Sequence, residues 1–159
     1  VRIFAISSAV MSPLAPDDGA PSPSDETDPV FSPDGKWVAY SSNESGTTEV
    51  YVRPFPAMNS GKWQVSTSGG SKPRWKQDGK ELYYISIDNK LMAVTVNAGT
   101  TFELGTPRPL FEMPQATLVD DAVYDVAADG QRFLLCAPPG TKYFSSITVA
   151  LNWRVNPKH

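Results

Sequence analysis

The chain has 159 residues, 40% of them apolar, and a formal net charge of −3. That length allows one full-sized core, burying about 70% of the unfolded surface. The mild acidity gives no basic field for sequence-independent nucleic-acid binding and no cationic face for a membrane surface. No stretch reaches the about 18–20 apolar residues needed for membrane insertion.

Residues 1–10, VRIFAISSAV, have an apolar centre and one base, and are expected to form a strand, with a signal-peptide remnant as the alternative. Residues 11–28 differ from the rest. From Met11 to Pro29 there are five prolines and five acids (Asp17, Asp18, Asp25, Glu26, Asp28) and no base. Such a segment buries too little apolar surface to offset the entropy of ordering, and reads as a linker.

From residue 29 a repeat emerges. PVFSPDGKWVAY, PRWKQDGKELYY and YDVAADGQRFLL align on Asp-Gly pairs that begin at Asp34, Asp78 and Asp129, spacings of 44 and 51 residues. A period of about 40–50 is that of a propeller blade. Asp-Gly favours a tight turn because glycine takes positive φ freely, and the flanks alternate as strands do. Val38 and Tyr40 alternate with Trp37 and Ala39; Leu82 and Tyr84 with Glu81 and Tyr83; Phe133 and Leu135 with Arg132 and Leu134. A third strand follows in each unit (TEVYVRPF, KLMAVTV, ITVALNW) and a fourth in the first two (GKWQVST, RPLFEMP). Pro54 and Pro109 are expected at strand ends or edges, where a missing N–H is tolerated.

The expected fold is all-β: a partial propeller of about three four-stranded antiparallel blades, at about 29–70, 71–114 and 120–155 within the segment 29–159. Closed propellers usually have 4–8 blades. Three blades leave two flat faces and an unpaired edge, features that drive association. The first strand, VRIFAIS, is a candidate to complete the third blade. A homodimer closing a six-bladed ring is the expected assembly.

The opening FSPDGKWVAYSSNESGTTEVYVRPFP resembles the TolB-like propeller repeat, marked by a strand ending in S-P-D-G. With KWQVSTSGG, PRWKQDGKELYYIS, KLMAVTV, PRPLFE, YDVAADGQRFLL and ITVALNW, residues 28–154 are similar to the end of the propellers appended to bacterial serine/threonine protein kinases. The first 27 residues do not match. The resemblance implies a propeller with a sensing or protein-interaction role, periplasmic or otherwise outside the cytoplasmic membrane. It carries no kinase chemistry: H-R-D, D-F-G and the phosphate-cradling glycine loop are missing. Related propellers accompany prolyl-oligopeptidase-type hydrolases, but their G-x-S-x-G elbow is missing as well.

Catalytic residue types are sparse. The one histidine, His159, ends the sequence, and the one cysteine, Cys136, lies in the apolar run FLLC. A catalytic histidine must be held rigidly by its partner, and zinc favours nitrogen and sulfur ligands. Neither a metal nor a cofactor is expected. Carboxylates remain: Glu44 and Glu49 around Gly46, and Asp120, Asp121 and Asp125 before the third turn. A pair about 5–10 Å apart can hydrolyse glycosides, and oxygen ligands around Asp120 and Asp121 suit a hard cation, although solvated loop acids are commoner.

On the innermost strands Val30, Arg74 and Asp125 are equivalent, beside the apolar set Phe31, Trp75 and Val126. If the apolar set packs between blades, Arg74 and Asp125 face the central channel, with Lys72, Lys76 and Asp121 near its rim. That group is the candidate ligand site; an Arg74–Asp125 salt bridge between blades is the structural alternative. The expected function is a binding or scaffold module for a protein or small ligand, the alternative being an ester or glycoside hydrolase assembled across a dimer interface. Ring closure by a second copy predicts a light-scattering mass of twice 17.3 kDa that persists on dilution; a folded monomer refutes it.

Overall fold

The computed structural model describes residues 24–99, 101–113 and 124–135, and the backbone of 148–151. The expectations for residues 1–10, most of the linker, Asp120, Asp121, Cys136 and His159 lie outside these residues.

The first blade is an antiparallel sheet of β1 (Glu26–Phe31), β2 (Trp37–Ser42), β3 (Glu49–Pro54) and β4 (Trp63–Gln64), in that order. A turn of 3-10 helix, Met58–Ser60, links the last two. Strand β1 starts at Glu26, inside the segment read as linker, because it pairs Glu26 with Ser42 and Thr27 with Ser41. The fourth strand is only two residues long.

The second blade comprises β5 (Gly70–Trp75), β6 (Glu81–Ser86), β7 (Lys90–Ala98), β8 (Phe102–Leu104) and β9 (Arg108–Glu112). Four strands were expected. The fifth arises because β7 is nine residues long and has two partners: its first half pairs with β9, its far end with the short β8. Pro109 lies in β9 at a break in register with β7, where a missing N–H costs no regular ladder bond. In the third blade β10 (Tyr124–Val126), β11 (Arg132–Leu135) and β12 (Thr148–Leu151) form a three-stranded sheet.

All three Asp-Gly pairs build the same turn. Gly35, Gly79 and Gly130 have φ of 70°, 70° and 67°. Their amides donate to the carbonyls of Ser32, Lys76 and Ala127 at 2.9, 2.9 and 2.8 Å. Each aspartate accepts the amide two residues on, from Lys36, Lys80 and Gln131 at 3.1, 2.9 and 2.9 Å. The side chain thereby holds the loop that glycine permits.

Strand alternation distributes side chains between two interblade cores. On β6, Leu82 and Tyr84 face blade 1, joining Ala39, Val50, Val52, Trp75, Val94 and Phe102. Tyr83 and Ile85 face blade 3, with Leu91, Leu110, Tyr124, Phe133 and Leu135. Full burial of each such side chain stabilises by about 1.5–3 kcal/mol. Aromatic edges lock the stack: Tyr83 meets Phe133 at 5.2 Å, and Phe102 lies 4.3 Å from Trp37 and 4.9 Å from Trp63. A third cluster, Val38, Tyr40 and Tyr51, lies on the far face of blade 1. Burial pushes the Tyr40 phenol up to about 12, against the opposing influence of Arg53.

Repeat equivalence explains two exposed apolar residues. Trp75 is 9% exposed because it packs back onto blade 1; Phe31, its equivalent, is 51% exposed. Tyr83 is buried against blade 3, whereas its equivalent Leu134 is 42% exposed. Both stand where the next blade of a ring would pack.

The turns differ in surroundings, which gives a stability test. A Cβ on Gly35 meets nothing within 4 Å, whereas one on Gly130 lies 2.6 Å from the Tyr83 hydroxyl and 2.8 Å from Lys76. Gly35→Ala is expected to cost about 1 kcal/mol from positive φ alone, and Gly130→Ala about 2 kcal/mol or more, in urea unfolding. Equal losses would contradict the packing of turn 3 against blade 2.

Candidate functional site

The innermost strands break register at one equivalent point. In β1 the shift falls between Thr27 and Val30, in β5 between Ser71 and Arg74. Asp28 (φ 54°) and Lys72 (φ 56°), 44 residues apart, adopt the left-handed conformation there, each directly before a proline. Such backbone is uncommon for a lysine and persists where surrounding contacts hold it.

Those contacts are polar and run between blades. The Lys72 ammonium lies 3.9 Å from the Asp28 carboxylate. Asp28 Oδ2 accepts from the Ser41 and Thr27 hydroxyls, both at 3.2 Å. Ser41 Oγ in turn accepts the Lys72 amide at 3.2 Å, and the Lys72 carbonyl accepts the Tyr124 hydroxyl at 2.9 Å. Lys72 therefore ties blade 1 to blade 3 through blade 2. Arg74 lies with its guanidinium 5.9 Å from the centroid of the Tyr124 ring and donates to the Pro73 carbonyl at 2.8 Å. Burial pushes the Tyr124 phenol well above its ordinary range, so it remains a proton donor.

The anticipated rim residues separate into two groups. Lys72 and Arg74 join the polar chain within β5. Lys76, just past the end of β5 and roughly 13 Å from Lys72 at strand rise, meets Asp78 at 3.2 Å and Glu81 at 3.8 Å. Asp125 is exposed, and its Oδ1 accepts the Val126 amide at 2.8 Å. Arg74 packs over Tyr124, and no Arg74–Asp125 ion pair forms among the described residues. Asp121 lies outside the described residues. Asp28, Ser41 and Tyr124 enter the cluster unforeseen; the 44-residue period, carried three residues before Trp75 and Phe31, places Asp28 opposite Lys72.

The other carboxylates have internal partners. Glu44 accepts Lys62 at 2.8 Å. Glu49 is buried, accepting the Ser66 hydroxyl in a short hydrogen bond and the Gly69 amide at 2.9 Å, which holds the crossover into blade 2. Glu81 accepts Arg108 at 2.8 Å and the Tyr83 hydroxyl at 2.9 Å. No group of three or more His, Cys, Asp or Glu residues is arranged to hold a metal among the described residues.

No family model matches the chain, and no curated protein matches it. Solved structures do. An oligogalacturonate lyase in complex with manganese is 13% identical, with a TM-score of 0.58, covering 83% of this chain and 36% of its own. TolB from Acinetobacter baumannii is 16% identical, with a TM-score of 0.52, covering 87% of this chain and 32% of its own. The chain spans about a third of the length of each. It is a β-propeller segment. At this identity the likeness establishes the fold alone, and neither match bears on a kinase-appended setting.

The three turn aspartates contribute to the acid sensitivity, alongside Asp88, which the Lys90 ammonium and then the Ser86 hydroxyl hold low. The Ser32 hydroxyl, then the Lys36 amide and ammonium, hold Asp34 below its ordinary value. The Lys80 amide does so first for Asp78, and the Gln131 amide for Asp129. A lowered folded pKa stabilises above the unfolded value, about 3.9, and the contribution is lost as pH falls through the folded value. Urea midpoints are therefore expected to drop below about pH 4, less steeply in the triple variant Asp34→Asn/Asp78→Asn/Asp129→Asn. Identical pH profiles would contradict the assignment.

Proposed function

We propose that this chain is a recognition module: a propeller segment that binds a protein or small ligand at the axial end of β1, β5 and β10. One observation carries the reading. Lys72 gathers Asp28 and Ser41 from blade 1 and Tyr124 from blade 3 onto one polar patch near the inner strands. Polar groups that converge on the mouth of such a shape are the usual setting of a ligand site. Arg74 and the exposed Asp125 extend it with one charge of each sign.

The hydrolase alternative has less support, because Glu44, Glu49 and Glu81 have internal basic, hydroxyl or amide partners. The resemblance to kinase-appended propellers favours a sensing role outside the membrane. Exposed Phe31 and Leu134 support ring closure by a second copy, which would bring two such patches to a common axis.

The reading is tested on two fronts. Peptides selected from a random display library on the wild-type chain are expected to bind at least about ten-fold more weakly to Arg74→Ala/Asp125→Ala, the loss of one or two polar contacts. Nitrophenyl esters and glycosides are expected to show no turnover above buffer. Turnover that vanishes in Arg74→Ala or Asp125→Asn would replace binding with catalysis; peptide affinity indifferent to the double variant would remove the axial site.

A further inference from the structure

The far end of the blades, where the Asp-Gly turns lie, holds a cleft of about 740 Å³ between blades 1 and 2. That is within the range of small-molecule sites, about 300–1,000 Å³. Beside the third turn, between blades 2 and 3, lies a smaller cavity of about 80 Å³. Two departures from the repeat shape the larger cleft. Position 37 is a tryptophan, where blade 2 has Glu81, ion-paired within its own blade to Arg108 of β9. The extension of β7 also adds Thr95–Gly99 to the wall, stiffened by β8 pairing with Val96, Asn97 and Ala98.

We propose that this cleft binds a neutral saccharide. Trp75 is buried at the base of its wall, and Trp37, half-buried against Phe102, leaves part of its indole open to the cleft; such an apolar surface suits the C–H face of a sugar ring. Its charges are locally balanced: Asp34 lies 4.0 Å from Lys36, and Asp78 lies 3.2 Å from Lys76. Of the lining cations only Lys80 remains, and it is exposed at the rim, where water screens it. The cleft thus selects strongly for neither anion nor cation. The side-chain amides of Gln77 and Asn97 line it, face solvent, and make no hydrogen bond to the described residues. An amide both donates and accepts, matching a hydroxyl that does the same. A neutral ring with one apolar face and several hydroxyls fits all three features. The cleft shares β5 with the polar patch but uses none of the patch's side chains.

The test is titration of the intact chain, followed by tryptophan fluorescence and calorimetry, with cellotetraose, xylotetraose and maltotetraose as neutral probes. Trigalacturonate and spermidine are the anionic and cationic controls. Saturable binding of at least one neutral probe is expected, weakened roughly ten-fold or more in Gln77→Ala/Asn97→Ala. Both amides are on the surface, so the double variant should keep the wild-type circular dichroism. The proposal is overturned by no saturation below about 10 mM with any neutral probe, by tighter binding of either control, or by an affinity that the double variant leaves unchanged.

Discussion

Face-to-face packing of twisted sheets is the constraint on which this molecule depends. A blade of four or five short strands cannot bury both of its faces by itself, so each relies on its neighbours. This is why β2 and β6 are apolar in both phases: Ala39 and Val38 point to different cores, as do Leu82 and Tyr83. It also explains the strict recurrence of the Asp-Gly turn. A turn of different twist would rotate one sheet against the next and open the interdigitated aromatic rows.

The conserved geometry of the turns contrasts with the variety of the blade ends. At the axial end, backbone in an unusual conformation brings a lysine, an aspartate and a tyrosine from three blades into contact. At the turn end, a longer β7 and a tryptophan in place of a glutamate line a cleft between blades 1 and 2. Function in repeat proteins is expected at such departures, because positions shared by every repeat are held by the needs of packing. Both regions draw on β5, where Lys72 and Arg74 serve the polar patch and Trp75 the interblade core.

The architecture was legible in the sequence because its signals are local. Glycine at positive φ, an aspartate that caps its own turn and alternation on both flanks act within about ten residues, and the three turns and their strands lie where Asp34, Asp78 and Asp129 put them. The polar cluster taken as the candidate site was only partly legible. Lys72 and Arg74 were found from alternation, but alternation assumes an unbroken ladder, and the bulge between Ser71 and Arg74 breaks it. Asp28 was hidden by the acidic, proline-rich composition around it, and pairing with β2 made it part of a strand. Strand β8 escaped because Phe-Glu-Leu is too short for periodicity; Phe102 is fixed by tertiary contact with Trp37 and Trp63.

That contact has a mechanical consequence. Phe102 belongs to blade 2 but sits between two tryptophans of blade 1, so its hairpin works as a latch across the seam. Separating the first two blades requires unlatching β8 as well as parting the sheet faces. Blade 3 lacks an equivalent latch among its described residues and is held through Tyr124, Phe133 and Leu135. Local opening should therefore follow a hierarchy, with blade 3 loosening first and blades 1 and 2 behaving as one cooperative foldon.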